Sequence, residues 1–262
     1  MNAMNFTDFR IPSVLGYIGF GWMVAAWIWL YVRCTKARIG VALGILAAVT
    51  LFFGFISAPD APAAAAKFSP EWHLGCWLDR TILGAHKLGG AKSLFDNEGF
   101  GGLFCTISTA MLGMFAGEIV RKGGVAATGR KALSLLGCAA LCLASGLLLS
   151  LFYPIVKNLW SPSFVLVVGG YSFAMFALFY WLVDVKGWSK WSFFFRVIGM
   201  NSITIYIAQR FVGFGPASKF FLGGVAGLLP EHWGHLVLSL GYIAACWLFL
   251  WFLYKKKIII KL

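Results

Sequence analysis

The chain reads as an all-α protein: a polytopic transmembrane helix bundle of about seven spans plus one re-entrant or interfacial segment, in a single membrane domain over residues 1–262. Three observations predict this. Of the 262 residues, 60% are hydrophobic, against about 45–50% apolar in soluble domains. Only 12% are charged, and the mean hydropathy is +0.83. Apolar runs of about 20 residues, the length that crosses a hydrocarbon core, recur along the chain.

Taken in order, residues 11–32 form the first span, closed by Arg33, Lys36 and Arg38. Residues 39–57 form an uncharged second span. Residues 58–98 are the one long polar segment, an outer loop with three prolines, an alanine run and most of the acids. Residues 99–120 form the third span. Asp96, Asn97 and Glu98 precede it directly, and a carboxylate or amide there caps free backbone N–H groups at the positive end of the helix dipole. At about 100° per residue, Gly102, Thr106, Thr109, Gly113 and Gly117 share one small-residue face, against which another helix can pack closely. Residues 132–153 and 163–183 are the fourth and fifth spans. Residues 192–212 are the sixth, with Gly199, Ser202, Tyr206, Gln209 and Arg210 forming a polar stripe, Asn201 off that stripe and Arg196 nearer one end. Residues 213–229 are apolar but Gly-rich, interrupted by Pro216 and Lys219, and read as non-crossing. Residues 235–254 are the last span, ending in Lys255, Lys256 and Lys257.

Seven spans give alternating loops. One side collects 13 of the 22 basic residues against two acids, Glu118 and Asp184. The positive-inside rule then places the C-terminus in the cytoplasm and the N-terminus outside, with residues 58–98 facing outward. The formal charge of +13 and the pI near 9.7 do not indicate nucleic acid, because the basic residues lie between hydrophobic spans rather than on one soluble face. Six cysteines without a C-x-x-C pair give neither a disulfide framework nor a zinc site. The first apolar run is too long and Trp-rich for a signal peptide.

Ionisable and amide groups inside a membrane are costly unless paired or lining a wet cavity, so they are functional candidates. The outer segment supplies His73, Asp79, Arg80, His86, Asp96 and Glu98, and a histidine near two carboxylates can do general acid–base work. The bland alternatives are a solvated loop and, in the sixth span, helix–helix hydrogen bonding with snorkelling arginines. Glu231, His232 and His235 form an E-H-x-x-H run with no third ligand nearby, so no metal is expected. No phosphate loop, Rossmann fingerprint or nucleophile elbow is present.

Several runs, in order along nearly the whole chain, resemble the heparan-α-glucosaminide N-acetyltransferase family and its bacterial relatives. Arg10 to Leu15 looks like the family's R-I-P-G-V-L run. Leu78-Asp79-Arg80 with Leu83, Gly84 and His86 looks like its D-R…L…H stretch. Phe95 to Gly99 resembles D-P-E-G, with Asn97 in place of Pro. Lys157 to Ser161 with Ser163 and Phe164 resembles N-K-x-L-W-[ST]-S-[FY]. Trp181 to Asp184, Gly199 to Ile203 with Tyr206, and Tyr254 to Ile258 also fit.

The resemblance implies a multipass enzyme of a bacterial cytoplasmic (inner) membrane that takes acetyl from cytosolic acetyl-CoA and passes it to the amine of an amino sugar or glycan across the membrane. Candidates for catalysis are Asp96, Glu98 and His86. Candidates for substrate binding are Asp79, Asn158, Asn201, Ser202 and Tyr206, with Arg196 for the acetyl-CoA donor. Family members carry further spans before the R-I-P run, with a D-x-x-R-G start and a catalytic histidine in an H-A-x-W stretch. None of His73, His86, His232 and His235 matches that histidine. The expectation is therefore the C-terminal part of such an acyltransferase, completed by an N-terminal helical segment or partner chain, or acting as a homo-oligomer in the lipid bilayer. The alternatives are a non-catalytic membrane subunit and a small-solute transporter for anions.

Overall fold

The computed structural model describes residues 12–62, 67–84, 86, 94–122, 124 and 128–259. Arg10 and Ile11 of the R-I-P run, the alanine run at 63–66 and Lys261 lie outside the described residues. Among the described residues every regular element is helical, and six helices are long and apolar enough to cross a membrane. The chain divides into two compact units, residues 1–181 and 182–262.

In the first unit, α1 (Val14–Tyr31) starts at Ser13, whose Oγ accepts the Gly16 N–H at 3.0 Å. Next come α2 (Thr35–Phe55), α3 (Leu74–Leu83), α4 (Phe100–Arg121), α5 (Gly129–Ser150) and α6 (Pro162–Tyr180), with a short 3-10 turn, Lys157–Leu159, before α6. Ser161 caps α6 by accepting the Phe164 N–H at 3.2 Å, with Pro162 at the first helical position. The K-N-L-W-S-P-S run is thus a turn and a helix cap, and Trp160 takes a left-handed backbone within it.

Helix α4 is the hub and packs against α1, α2, α3, α5 and α6. Ala25, Ala42, Ile107 and Met111 fill the α1–α2–α4 contact. Leu135, Ala139, Phe173 and Ala177 fill that between α5 and α6. There the backbones nearly touch: a β-carbon on Gly170 would lie 2.9 Å from the Leu143 nitrogen. In lipid such close packing, rather than escape from water, drives helix association. Helix α3 lies inside the segment expected to be a loop.

The second unit holds α7 (Phe193–Met200), α8 (Ser202–Ala208), α9 (Phe214–Gly227) and α10 (Glu231–Lys255). The expected continuous helix over 192–212 is two short helices broken at Asn201, whose φ of −133° and ψ of 37° leave the helical region. At the break Asn201 Nδ2 donates to the Ile258 carbonyl at 3.1 Å, which ties it to the residues after α10. Helix α9, with 14 residues, is about 21 Å long, shorter than a ~30 Å core. It folds back on α10, where Ser218 Oγ donates to the Leu238 carbonyl at 2.7 Å.

Candidate functional site

The acidic end of α4 is built from three elements. The sequence predicts a local cap from Asp96 to Glu98, but the N-cap residue is Gly99, and no side chain of its own caps the helix. The acceptor comes from α3 instead: Asp79 Oδ1 accepts the Phe100 N–H at 2.6 Å, and Asp79 is 1% exposed. A carboxylate at this pole meets both a free donor and the positive end of the dipole. Only glycine fits beneath it, since a β-carbon on Gly99 would collide with the Asp79 carboxylate. Gly75 and Gly101 let α3 and α4 approach so closely.

Asp96, also buried, turns inward as well. Its Oδ1 accepts the Glu98 N–H at 2.9 Å and its carbonyl the Gly99 N–H at 3.2 Å, an Asx-type turn that delivers the chain into α4. Asn97 Oδ1 is buried, and no described donor meets it. From α1, the Tyr17 hydroxyl donates to the Gly99 carbonyl, and the ring packs edge-on against Trp160. Beside these groups lies a cavity of about 210 Å³ whose walls include Ser13, Tyr17, Glu98 and Phe100. Asp79 and Asp96 hold backbone, and Glu98 lines the space. Tyr17 and Ser13 had no chemical signal of their own in sequence beyond their place just after the R-I-P segment.

The small-residue face of α4 is used in two ways. Gly102 lies under Trp160 and the Tyr17 hydroxyl, Thr106 faces Gly21 on α1, and Thr109 accepts the Trp160 indole N–H at 3.3 Å. Gly113 and Gly117 meet no neighbour and, with α6, line a cavity of about 400 Å³. At the opposite, basic end of α4, Glu118 accepts the Thr35 hydroxyl at 2.7 Å and pairs with Arg38 at 3.5 Å. Arg38 also donates to the Val32 and Trp29 carbonyls, closing α1. A cavity of about 580 Å³ is lined there by Trp29, Arg38, Glu118 and Arg121.

His73 sits in the core of the first unit, 2% exposed. Its Nδ1 accepts the Gly75 N–H and its Nε2 lies 2.8 Å from Tyr153 Oη. Burial pulls its pKa down to about 4. Arg80, in the same segment, ties the Glu71 and Leu94 carbonyls to the Asp60 carboxylate. His86 follows α3, its N–H donating to the Leu83 carbonyl at 2.8 Å. Asn158 is exposed in the turn before α6. In the second unit Asn201 is buried, while Ser202, Tyr206 and Arg196 are exposed. Arg196 lies over the Phe193 ring. Glu231 and His235 form an exposed pair at 3.8 Å on α10. So Asp79, Asp96 and Glu98 converge on one helix start, and the Asn201 group belongs to the other unit.

No family model matches the chain. In an alignment of 205 positions that takes in 71% of the chain, it is 30% identical to heparan-alpha-glucosaminide N-acetyltransferase of Mus musculus. Over 202 residues it is 29% identical to the protein of that name from Homo sapiens. The matched segments cover 30% and 29% of those proteins, so the chain spans less than a third of the curated relatives it matches. The protein is a distant relative of these acetyltransferases and, with its apolar helices, a multipass membrane protein of acetyltransferase-like sequence.

Proposed function

We propose, taking that distant relationship as premise, that the protein is a membrane acyltransferase that moves acetyl from acetyl-CoA to the amine of an amino sugar, with the acidic end of α4 as its acceptor site. The observation that carries the reading is Glu98 on the wall of the cavity at that helix start, beside Tyr17 and close to the buried acceptor Asn97 Oδ1. An ammonium group entering there meets the Glu98 carboxylate, with Ser13 and Tyr17 the other polar side chains on a wall that is otherwise apolar. About 210 Å³ suits the amine-bearing end of a sugar better than a whole glycan.

Glu98 first pairs with the ammonium and then takes one of its protons, because only the free amine attacks. The amine nitrogen bonds to the acetyl carbonyl carbon, the carbon–sulfur bond breaks, and the sulfur leaves as a thiol with the second amine proton. Asp79 and Asp96 position Glu98 by fixing the helix start. The donor's phosphates suit the basic end, where Arg38 and Arg121 line a cavity of about 580 Å³. In this reading residues 58–98 face outward and the lysine-rich end faces the cytoplasm.

The test is acetyl transfer from labelled acetyl-CoA to glucosamine-type acceptors by the membrane-embedded protein. Glu98→Gln keeps the shape and removes the base, and lowers kcat/KM by about 100-fold or more. Asp96→Asn, which keeps an acceptor oxygen for the turn, has a smaller effect. Unchanged transfer by Glu98→Gln would remove Glu98 from the mechanism.

A further inference from the structure

A fourth cavity, of about 430 Å³, runs along α2, α4, α5 and α6, and shares only Glu118 with the cavity at the basic end of α4. Its floor is buried and apolar: Ala42 and Leu46 on α2, Leu166 and Phe173 on α6. Its rim is exposed, with Ile39 and Leu43 from α2 on one side and Leu141 and Ser145 from α5 on the other. Small side chains on α5, Cys138, Cys142 and Ser145, leave the space that leucines would fill. Along α4 the lining runs from Ser108 to Lys122, about 21 Å of helix. One leaflet of the hydrocarbon core is about 15 Å deep.

The charge is all at one end. Thr35, Glu118 and Lys122 border the groove there, with Glu118 held by Arg38 and Thr35. Lys122, exposed at the end of α4, leaves that mouth positive; in sequence Lys36 follows Thr35 and Arg121 precedes Lys122. We propose that this groove holds one acyl chain of an anionic phospholipid, with the chain along Leu43, Leu112 and Leu141 and the phosphate at Lys122. The fit follows from two matches: an apolar channel one leaflet deep, opening between spans that stand in lipid, and a cationic mouth for an anionic headgroup. Because the alternative surroundings are also lipid, the preference comes from shape and from the phosphate rather than from escape from water.

The experiment is photolabelling of the full chain in phosphatidylcholine vesicles containing phosphatidylglycerol with a photoreactive acyl chain. Label concentrates on the groove rim, at Leu43 and Leu141, severalfold above the exposed Leu147 and Leu148 on the same helix α5. Ser145→Trp, which fills the groove, removes the rim label; Cys142→Phe is the second variant should the first not fold. Lys122→Gln lowers the preference for phosphatidylglycerol over photoreactive phosphatidylcholine by about five-fold, the effect of one lysine at an anionic surface. Equal labelling of Leu141 and Leu147, no rim label, or rim label that survives both groove-filling variants would overturn the proposal.

Discussion

His73 accepts the Gly75 N–H through Nδ1, so the proton of the neutral ring sits on Nε2 and is donated to Tyr153 Oη. Phe53 packs at 5.1 Å between ring centroids, completing an apolar wall that disfavours the imidazolium. With a folded pKa of about 4 and an unfolded value near 6.5, the unfolded chain binds the proton first as pH falls. The stabilisation from keeping this ring neutral is therefore complete above pH ~6.5 and is lost progressively toward pH ~4, roughly 3 kcal/mol in all. His73→Asn keeps a helix-capping oxygen and removes the titration. Thermal midpoints at about pH 7.5 and about pH 5 should then differ less in the variant than in the wild type. An equal fall in both would show that other groups carry the acid sensitivity. The sequence placed this histidine in a polar loop, because nothing local says that Tyr153, 80 residues away, encloses it.

At the scale of elements, the start of α4 is the joint on which the first unit turns. Asp79→Ala leaves the Phe100 N–H without its acceptor at a buried helix end, a cost of about 1–3 kcal/mol. Asp79→Asn retains an oxygen there and recovers much of it, while Gly99→Ala drives a methyl group into the carboxylate and is at least as damaging as Asp79→Ala. Thermal midpoints of the three variants rank the effects, and equal midpoints for Asp79→Ala and Asp79→Asn would mean the bond to Phe100 contributes little. The long helices were legible because about 20 apolar residues leave few other fates. The element that supplies the cap was not: α3 has ten residues, lies in a polar segment and shows its apolar side only once Leu74, Cys76 and Leu83 are buried. The polar stripe over 192–212 failed for a related reason. Periodicity assumes an unbroken helix, and the break at Asn201 resets the phase, leaving Ser202 and Tyr206 exposed on α8.

For the whole molecule, charge decides what helix length leaves open. Six helices qualify as spans, and an even number would put both chain ends on one side. The charges oppose that. Arg33 and Lys36 lie around the α1–α2 connection, Arg121, Lys122 and Arg130 around the α4–α5 connection, and Lys186 and Lys190 after α6, while the connection from α2 to α4 carries Asp60, Glu71, Asp79, Asp96 and Glu98 beside Lys67, Arg80, Lys87 and Lys92. On the positive-inside rule, five crossings to that point would put Lys190 in the cytoplasm. Lys255, Lys256 and Lys257, which end α10, would belong there too, and Glu231, which begins it, outside. That topology requires one crossing between Lys190 and Glu231. Helices α7 and α8 together, 193–208, supply about 24 Å, and local thinning of the bilayer at a short span is a modest cost. Helix α9 would then begin and end on the outer side. Cysteines added one at a time to a Cys34→Ser background, whose five remaining thiols are buried or half-buried, test this with a membrane-impermeant maleimide. Gly213→Cys and Leu229→Cys should react from outside intact cells, and Ser189→Cys and Lys256→Cys only after permeabilisation. If Lys256→Cys reacts from outside, the lysines do not anchor the cytoplasmic end, α7 and α8 do not complete a crossing, and the basic end of α4 loses its claim to face cytosolic acetyl-CoA.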